Sequence, residues 1–100
     1  MARATERRLR KARRTRTAVA EIYVALSDER IGAREILEAP PDALGRIRVY
    51  DVLRRLPHLN RDGAETVLIK SKVWPLTPMS ELTDAERRRV LLALPPRVKR

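Results

Sequence analysis

Apolar residues recur along this chain of 100 residues at intervals of three and four, the spacing of one face of an α-helix. The first stripe consists of Val19, Ile22, Tyr23 and Leu26. It predicts a helix over about residues 6–26, docked through its carboxyl-terminal half and free at its basic start. Residues 1–16 have little apolar surface to bury, because Leu9 is their only large apolar residue after Met1. By itself this block should therefore be frayed or disordered.

Two shorter helices are predicted in the middle of the chain. The first carries Ile31, Ile36 and Leu37, and it must stop before Pro40 because the residue preceding a proline disfavours helical backbone. The next helix ends at Pro57, which has no backbone N–H to donate. Its apolar stripe consists of Val49, Val52, Leu53 and Leu56.

Two more helices follow, separated by a loop. Asn60 is a good N-cap for the fourth helix, whose apolar face is formed by Ala64, Val67, Leu68 and Ser71. Pro75 and Pro78 interrupt the stretch "WPLTPMSEL", which is therefore predicted to be a loop. The fifth helix begins with a capping box from Thr83 to Glu86 and ends at Pro95.

The pattern predicts an all-α protein, a small single domain of about five helices with a basic amino-terminal helix. One hundred residues suffice for one domain with an adequate core. We expect residues 1–16 to form a basic arm and the start of the first helix, residues 17–94 to form the helical domain, and residues 95–100 to form a short basic tail. The sequence contains no internal repeat.

The formal net charge is +10, from 23 lysines and arginines against 13 acidic residues. A field of this sign attracts polyanions, and nucleic acid is the commonest one inside cells. Arginine supplies most of the charge, and its planar fork binds phosphate oxygens in pairs. A solvated face kept charged for solubility is the alternative. A membrane surface is a weaker competitor, because the basic amino terminus lacks a bulky apolar face.

The sequence offers no sign of catalysis. It has no cysteine and one histidine, and its aspartates follow no metal-ligand spacing. We find no glycine-rich phosphate loop and no nucleophile paired with a base. We therefore expect no enzyme, no cofactor and no metal. No apolar run approaches the roughly 20 residues that span a bilayer, and the amino terminus lacks the apolar core of a secretory signal. The prediction is a cytoplasmic protein without a membrane partner.

Several features in one order along the chain point to a family. The run Gly45–Val49 alternates basic and apolar residues, "VLRRLP" follows at residues 52–57, and an apolar helix comes after the turn. Pro75 and "LTDAERRRVLLAL" continue the register without a gap. Because these motifs occur together in this order, residues 31–94 resemble the actinobacterial integration host factors. These are small nucleoid proteins built around a helix–two-turn–helix element, which is also found in a small-subunit ribosomal protein and in some DNA glycosylases.

The resemblance implies a protein that binds duplex DNA with little sequence preference and bends or compacts it. It also implies a possible partner, an integrase acting on attachment-site DNA during phage integration or other site-specific recombination. A phage-encoded member of the family is one expectation, and a monomer in solution is another. The alternative from the same element is an RNA- or ribosome-associated module. A third class, an interaction protein that binds an acidic partner through the basic helix, fits the charge alone.

The turn between the third and fourth helices is the predicted binding element. Its backbone N–H groups and the positive end of the fourth helix can hold a phosphate, and Arg46, Arg48 and Arg61 are expected to hold the flanking phosphates. The candidate DNA-binding residues are Arg7, Arg8, Arg10, Lys11, Arg13, Arg14, Arg46, Arg48, Leu59, Asn60, Arg61, Lys70 and Lys72.

The chain departs from the family at two places. The family turn is rich in glycine and lysine, whereas this one reads "HLNRDG", with Asp62 near the expected phosphate. Asp62 is interpreted as structural, because an acid in the first turn of a helix is favoured by the dipole. The family also carries an Arg-Arg-x-Arg cluster before the last helix. The matching positions here are Thr77, Pro78 and Ser80, so that contact is not transferred. Lys70, Lys72 and the amino-terminal arginines are candidates to compensate.

Seven other residues invite a functional interpretation. His58 follows a helix-ending proline and is interpreted as a turn residue. Trp74 could stack on a base, but its flanking Val73 and Pro75 favour a core anchor, because stacking platforms use several aromatics. Tyr23 and Tyr50 are interpreted as packing residues. The run Arg87–Arg89 is either a solvated helix face or an accessory phosphate contact, and the sequence favours neither.

Overall fold

The computed structural model describes the backbone of residues 2–98 and the side chains of residues 13, 14 and 16–98. Five α-helices follow one another: α1 (Ala2–Ser27), α2 (Ala33–Glu38), α3 (Val49–Leu53), α4 (Arg61–Ser71) and α5 (Asp84–Ala93). Two short 3₁₀ turns lie at Asp42–Leu44 and Met79–Glu81. The prediction of a small all-α fold with five helices is confirmed.

The first helix is longer than predicted. It begins at Ala2 rather than near residue 6 and stays helical through the basic segment, which we expected to be frayed or disordered by itself. Alanine and arginine are strong helix formers, and extending a formed helix requires ordering only one residue for each added hydrogen bond. The docked carboxyl-terminal half therefore nucleates a helix that the basic residues continue.

Among the described side chains of α1, those that pack against the body lie in its last third. Val19, Ile22 and Tyr23 pack against the core, and Leu26 is fully buried. The guanidinium of Arg55 lies 4.8 Å from the centroid of the Tyr23 ring, a cation–π contact between α1 and the turn after α3. Burial of Tyr23 raises the pKa of its phenol, and the Arg55 charge offsets part of that rise. The exposed Arg13, Arg14 and Arg16 precede this docked part.

The core fills the space between all five helices. Helix α5 packs against α2 and α4, and α3 packs against α4. The predicted stripes are confirmed, because the buried residues include Val49, Val52, Leu53 and Leu56 from one stripe and Ala64, Val67, Leu68 and Ser71 from the other. Val98 is buried in the same cluster, so the end of the chain that was expected to form a basic tail also contributes to the core.

The predicted helix caps are present. The Asn60 side chain accepts a hydrogen bond of 2.7 Å from the backbone N–H of Gly63. At α5, Glu86 N–H donates to the Thr83 hydroxyl at 3.1 Å, and Thr83 N–H donates back to the Glu86 carboxylate at 3.0 Å. Each cap satisfies backbone donors that a helix start otherwise leaves unpaired. These local hydrogen bonds fix where α4 and α5 begin.

One part of the architecture was not predicted. Residues 45–50, which lead into α3, lie alongside residues 75–80 and exchange backbone hydrogen bonds with them. Arg48 and Pro78 form an isolated antiparallel pairing within this contact. The loop before the last helix is therefore attached to the amino end of α3.

Candidate nucleic-acid interface

The turn between α3 and α4 is tight, and a buried side chain anchors it to the core. His58 adopts a left-handed backbone with φ of 66°, a conformation that costs most non-glycine residues energy. Leu59 follows with its side chain buried to 7% exposure, and its N–H donates to the carbonyl of Leu56 at 3.3 Å. The predicted DNA contact at Leu59 therefore has neither an accessible side chain nor a free N–H. This residue anchors the turn to the core.

Close packing behind the turn requires a small residue at position 63. A Cβ on Gly63 would lie 2.9 Å from Cδ1 of Leu59 and 3.1 Å from Oδ1 of Asn60. The buried leucine and the capping oxygen leave no room for it. Gly63 thus lets the start of α4 approach the turn closely enough for the Asn60 cap to form.

The amino end of α4 faces solvent. Because Gly63 N–H bonds to the Asn60 side chain and Ala64 N–H bonds to the Asn60 carbonyl, the N–H groups of Arg61 and Asp62 are left as the donors without an intrahelical partner. Both residues are exposed. We call the exposed set His58, Asn60, Arg61 and Asp62 the turn surface. Its donors, the helix dipole and the Arg61 guanidinium can hold an anion, and the Asp62 carboxylate opposes one.

The second basic surface lies at the other end of α3 and α4. It consists of Arg46 and Arg48 before α3, Lys70 and Lys72 at the end of α4, and the apolar Trp74 and Leu76 in the adjoining loop; all six are exposed. We call this set the loop surface. Lys72 has a left-handed backbone with φ of 56° and ends α4 as its C-cap. Cations at this end are favoured by the α4 dipole as well as by an external phosphate.

Arg48 already forms an ion pair within the protein. Its Nε lies 3.0 Å from the Asp51 carboxylate, and Arg54 approaches the other oxygen of the same carboxylate at 3.9 Å. Arg46 forms none of the ion pairs found among the described residues. Arg46 is therefore the arginine of the loop surface that a phosphate can engage without displacing an acid.

The predicted site residues do not form one cluster. Arg46 and Arg48 precede α3, whereas Arg61 follows the turn that ends it, so these three arginines lie at opposite ends of the α3–α4 pair rather than around one turn. Eleven residues of α4 separate the two ends by roughly 16 Å at 1.5 Å per residue. Lys70 and Lys72 share the end occupied by Arg46. The structure thus brings the candidates together as two surfaces.

The remaining candidates lie on α1. Arg13 and Arg14 are exposed on this helix, ahead of its docked part. The predicted contacts of Arg7, Arg8, Arg10 and Lys11 concern side chains outside the described residues.

The three arginines of α5 have different environments. Arg89 donates from Nε to the backbone carbonyl of Ser71 at 2.8 Å, so it caps the end of α4. The Arg87 side chain is only 22% exposed and lies 3.5 Å from Asp84. Arg88 is exposed. Of the two interpretations left open by the sequence, internal structural contacts account for Arg87 and Arg89, and Arg88 fits either one.

The interpretation of Trp74 as a core anchor was wrong. Its side chain is 68% exposed, while Val73 and Met79 on either side of the loop are buried and hold the loop in place. The signal for this exposure is the sequence Trp-Pro-Leu-Thr itself, because proline favours the second position of a β-turn and turn residues lie at the surface. Tyr23 and Tyr50 are half-buried against the core, as predicted.

His58 contacts the loop that follows α1. Its Nε2 lies 3.3 Å from a carboxylate oxygen of Glu29, and both side chains are about half exposed or more. An open cavity of about 660 Å³ adjoins this pair, lined in part by Leu26, Leu56 and Val98. The left-handed backbone of His58 in this turn confirms its interpretation as a turn residue, and the Glu29 contact connects the turn to the loop after α1.

Among the described residues, no group of three or more acids and histidines is placed to hold a metal ion. Within the same residues, no helix has both the length and the apolar character needed to cross a membrane.

Comparison with known proteins identifies a related fold. No protein-family model matches the sequence, and no curated protein matches it. A solved structure, described as sIHF bound to an 8-base-pair palindromic DNA, superimposes with a TM-score of 0.75. The match covers 86% of this chain and 99% of the other, at 17% sequence identity. The two proteins therefore share their fold, in which α3, the turn and α4 form the predicted helix–two-turn–helix element.

Proposed function

We propose that this protein binds duplex DNA, largely without sequence specificity, and bends or compacts it. The observation that carries the proposal is the turn surface: two helix-start N–H donors and Arg61 lie exposed at one point of a chain with a net charge of +10. Such a point binds a phosphate through the backbone and the dipole, and neither reads a base.

The fold supports the same function. The structurally similar protein is described as bound to a palindromic DNA, and the two chains share the helix–two-turn–helix arrangement. By the sequence resemblance to the integration host factors, the finer proposal is a nucleoid-associated member of the actinobacterial family, encoded by a host or by its phage. It would act as a monomer in solution and shape attachment-site DNA for an integrase.

Bending follows from the separation of the two basic surfaces. They lie roughly 16 Å apart along α4, which corresponds to about five base pairs at 3.4 Å each along one strand. Contacts at both ends can offset the elastic cost of a bend, which is on the order of 1–6 kcal/mol. The basic half of α1 adds a third contact. A duplex that satisfied all three would have to follow the protein surface rather than remain straight.

Competition binding tests the proposal directly. Full-length protein is titrated with several unrelated 20-base-pair duplexes and with a structured RNA, in a mobility-shift assay repeated across salt concentrations. We expect similar affinities for all the duplexes. Because each neutralised phosphate releases counterions, log K should fall with log salt at a slope of about −0.9 per phosphate contacted.

Each alternative has a distinct result. Preference for the RNA over every duplex would support the RNA-associated module instead. Binding restricted to one duplex sequence would contradict the lack of specificity. Failure to bind any nucleic acid at low salt would overturn the proposal and favour an acidic protein partner.

A further inference from the structure

The loop surface presents two large apolar side chains at the tip of a β-turn. The turn runs from Trp74 to Thr77, with a hydrogen bond of 3.0 Å from Thr77 N–H to the Trp74 carbonyl. Pro75 occupies its second position, where the fixed proline φ is favoured. Trp74 is 68% exposed and Leu76 is 50% exposed. Exposed indole and isobutyl groups on one turn are costly to leave in water, so this turn is a candidate binding surface.

The β-turn from Trp74 to Thr77 is attached to the start of α3 by backbone hydrogen bonds. Its carbonyls accept from the first N–H groups of that helix: Val49 donates to Thr77 at 2.8 Å and Tyr50 donates to Pro75 at 3.3 Å. Two further hydrogen bonds continue the attachment, from Met79 N–H to Ile47 at 2.8 Å and from Ser80 N–H to Gly45 at 3.1 Å. The loop therefore cannot fold Trp74 inward without unpairing the start of α3, and the indole stays outside.

The charge around the turn selects the partner. Arg46, Lys70 and Lys72 are exposed and belong to the two segments that adjoin this loop, the start of α3 and the end of α4. The Arg48–Asp51 pair neutralises the acid at the start of α3. Glu81 is the other exposed acid near this loop. An apolar tip framed by cations matches a polyanion that also has apolar surface. Duplex DNA has this combination at a base step, where stacked rings lie between two phosphate strands.

We propose that Trp74, supported by Leu76, is a wedge that enters a base step of duplex DNA from the minor groove and kinks it. Apolar wedges of this kind partly unstack one step and bend the duplex. Arg46 and the two lysines hold the phosphates on either side. The inference rests on the proposed DNA-binding function and adds the residue that produces the bend.

Trp74 is the only tryptophan in the chain, so intrinsic fluorescence reports on this site alone. The experiment titrates the protein with a 20-base-pair duplex containing one flexible TA step and carrying a donor and an acceptor dye at its ends. Indole emission, its accessibility to acrylamide and the end-to-end transfer efficiency are measured together with binding by mobility shift. We expect quenched emission, several-fold less access for acrylamide and a higher transfer efficiency in the complex.

Three variants separate the wedge from binding in general. Trp74→Ala should lose most of the gain in transfer efficiency and bind about tenfold more weakly, in line with the loss of one stacked base. Its salt slope should be unchanged, because no phosphate contact is removed. Trp74→Phe should retain most of the bend. Leu92→Ala, which removes an apolar side chain that is 75% exposed on α5, should behave like the unaltered protein.

The possible outcomes separate failure of the wedge from failure of the proposed DNA-binding function. Normal binding with unchanged Trp74 emission, or full bending by Trp74→Ala, overturns the wedge and leaves the DNA-binding function standing. Absence of binding by the unaltered protein at low salt overturns both. Emission that shifts with protein concentration in the absence of DNA shows that a second copy covers the tip, which also overturns the wedge.

Discussion

Asn60 and Asp62, at the start of α4, affect the binding of a phosphate in different ways. Asn60 satisfies the N–H of Gly63 without adding charge, so the positive end of the helix stays available to an anion. Asp62 stabilises the same helix end through the dipole but repels a phosphate there. Both roles could be predicted from the sequence. An asparagine just before a helix is a favoured N-cap, and an acid in the first turn is favoured by the helix dipole. Stability and DNA affinity should therefore respond independently when these side chains are altered, and for Asp62 they should change in opposite directions.

Asp62→Asn is expected to tighten DNA binding about threefold. Removing one charge near a phosphate, at about 6 Å in a water-like medium, is worth roughly 0.7 kcal/mol. The same change should lower the free energy of unfolding by about 0.3–1 kcal/mol, because the dipole loses its acid. Mobility shift and thermal melting measure the two effects. Weaker binding by this variant would show that Asp62 itself contacts the ligand.

Asn60 offers the matched control. Asn60→Asp keeps a capping oxygen, so stability should be retained while affinity for every duplex falls by a similar factor of about three. Asn60→Ala removes the cap and should cost about 1 kcal/mol of stability. If Asn60→Asp binds as well as the unaltered protein, the turn surface does not hold a phosphate.

At the scale of elements, sequence patterns could predict what is local. The five helices, their buried stripes and the two side-chain caps follow from periods of three and four residues and from capping residues. The attachment of residues 75–80 to residues 45–50 could not be predicted, because backbone hydrogen bonds across thirty residues leave no pattern in side-chain type. That attachment holds the turn that contains Trp74 at the start of α3, next to Arg46 and Arg48. The candidate site was thus predicted as a list of residues but not as two surfaces.

Helix α1 is an element whose ends serve different purposes. Its last third supplies Leu26 and Tyr23 to the core, whereas the exposed Arg13, Arg14 and Arg16 precede Val19, the first residue among the described side chains of α1 that packs against the core. Deleting residues 1–16 should therefore weaken DNA binding severely and leave the melting temperature almost unchanged. The loss of helical circular dichroism should match the number of helical residues removed.

A variant that removes charge but keeps the helix tests whether the charge causes the loss of DNA binding. Arg13→Gln with Arg14→Gln keeps good helix formers in α1, so helical content should be retained. The salt slope should fall by about one for each phosphate that these arginines no longer neutralise. A large drop in melting temperature after the deletion would instead mean that the basic half of α1 is part of the folded body.

The whole molecule is best understood as a set of separated cations around one small core. Helix α4 joins the turn surface to the loop surface, and the basic half of α1 continues the helix that docks through residues 19–26. Affinity should add over these sites, because groups more than about 10 Å apart contribute independently. Bending should not add, because a duplex held at only one place has no reason to deform. The difference between additive affinity and non-additive bending is the signature of an architectural DNA-binding protein.

Arg61→Ala, Arg46→Ala and the double variant test this signature. Both side chains are exposed, so folding should be unaffected, and each single change should lower the salt slope by about one for all sequences. The double variant should show the sum of the two losses in log K. Transfer efficiency on an end-labelled duplex should fall with either single change by more than the loss of affinity explains, and the second change should add less than the first. Arg88→Ala, an exposed arginine outside both surfaces, is the control for charge alone and should leave the bend intact. Bending that declines in proportion to affinity in all four variants would contradict a two-ended contact and would assign the bend to a single surface.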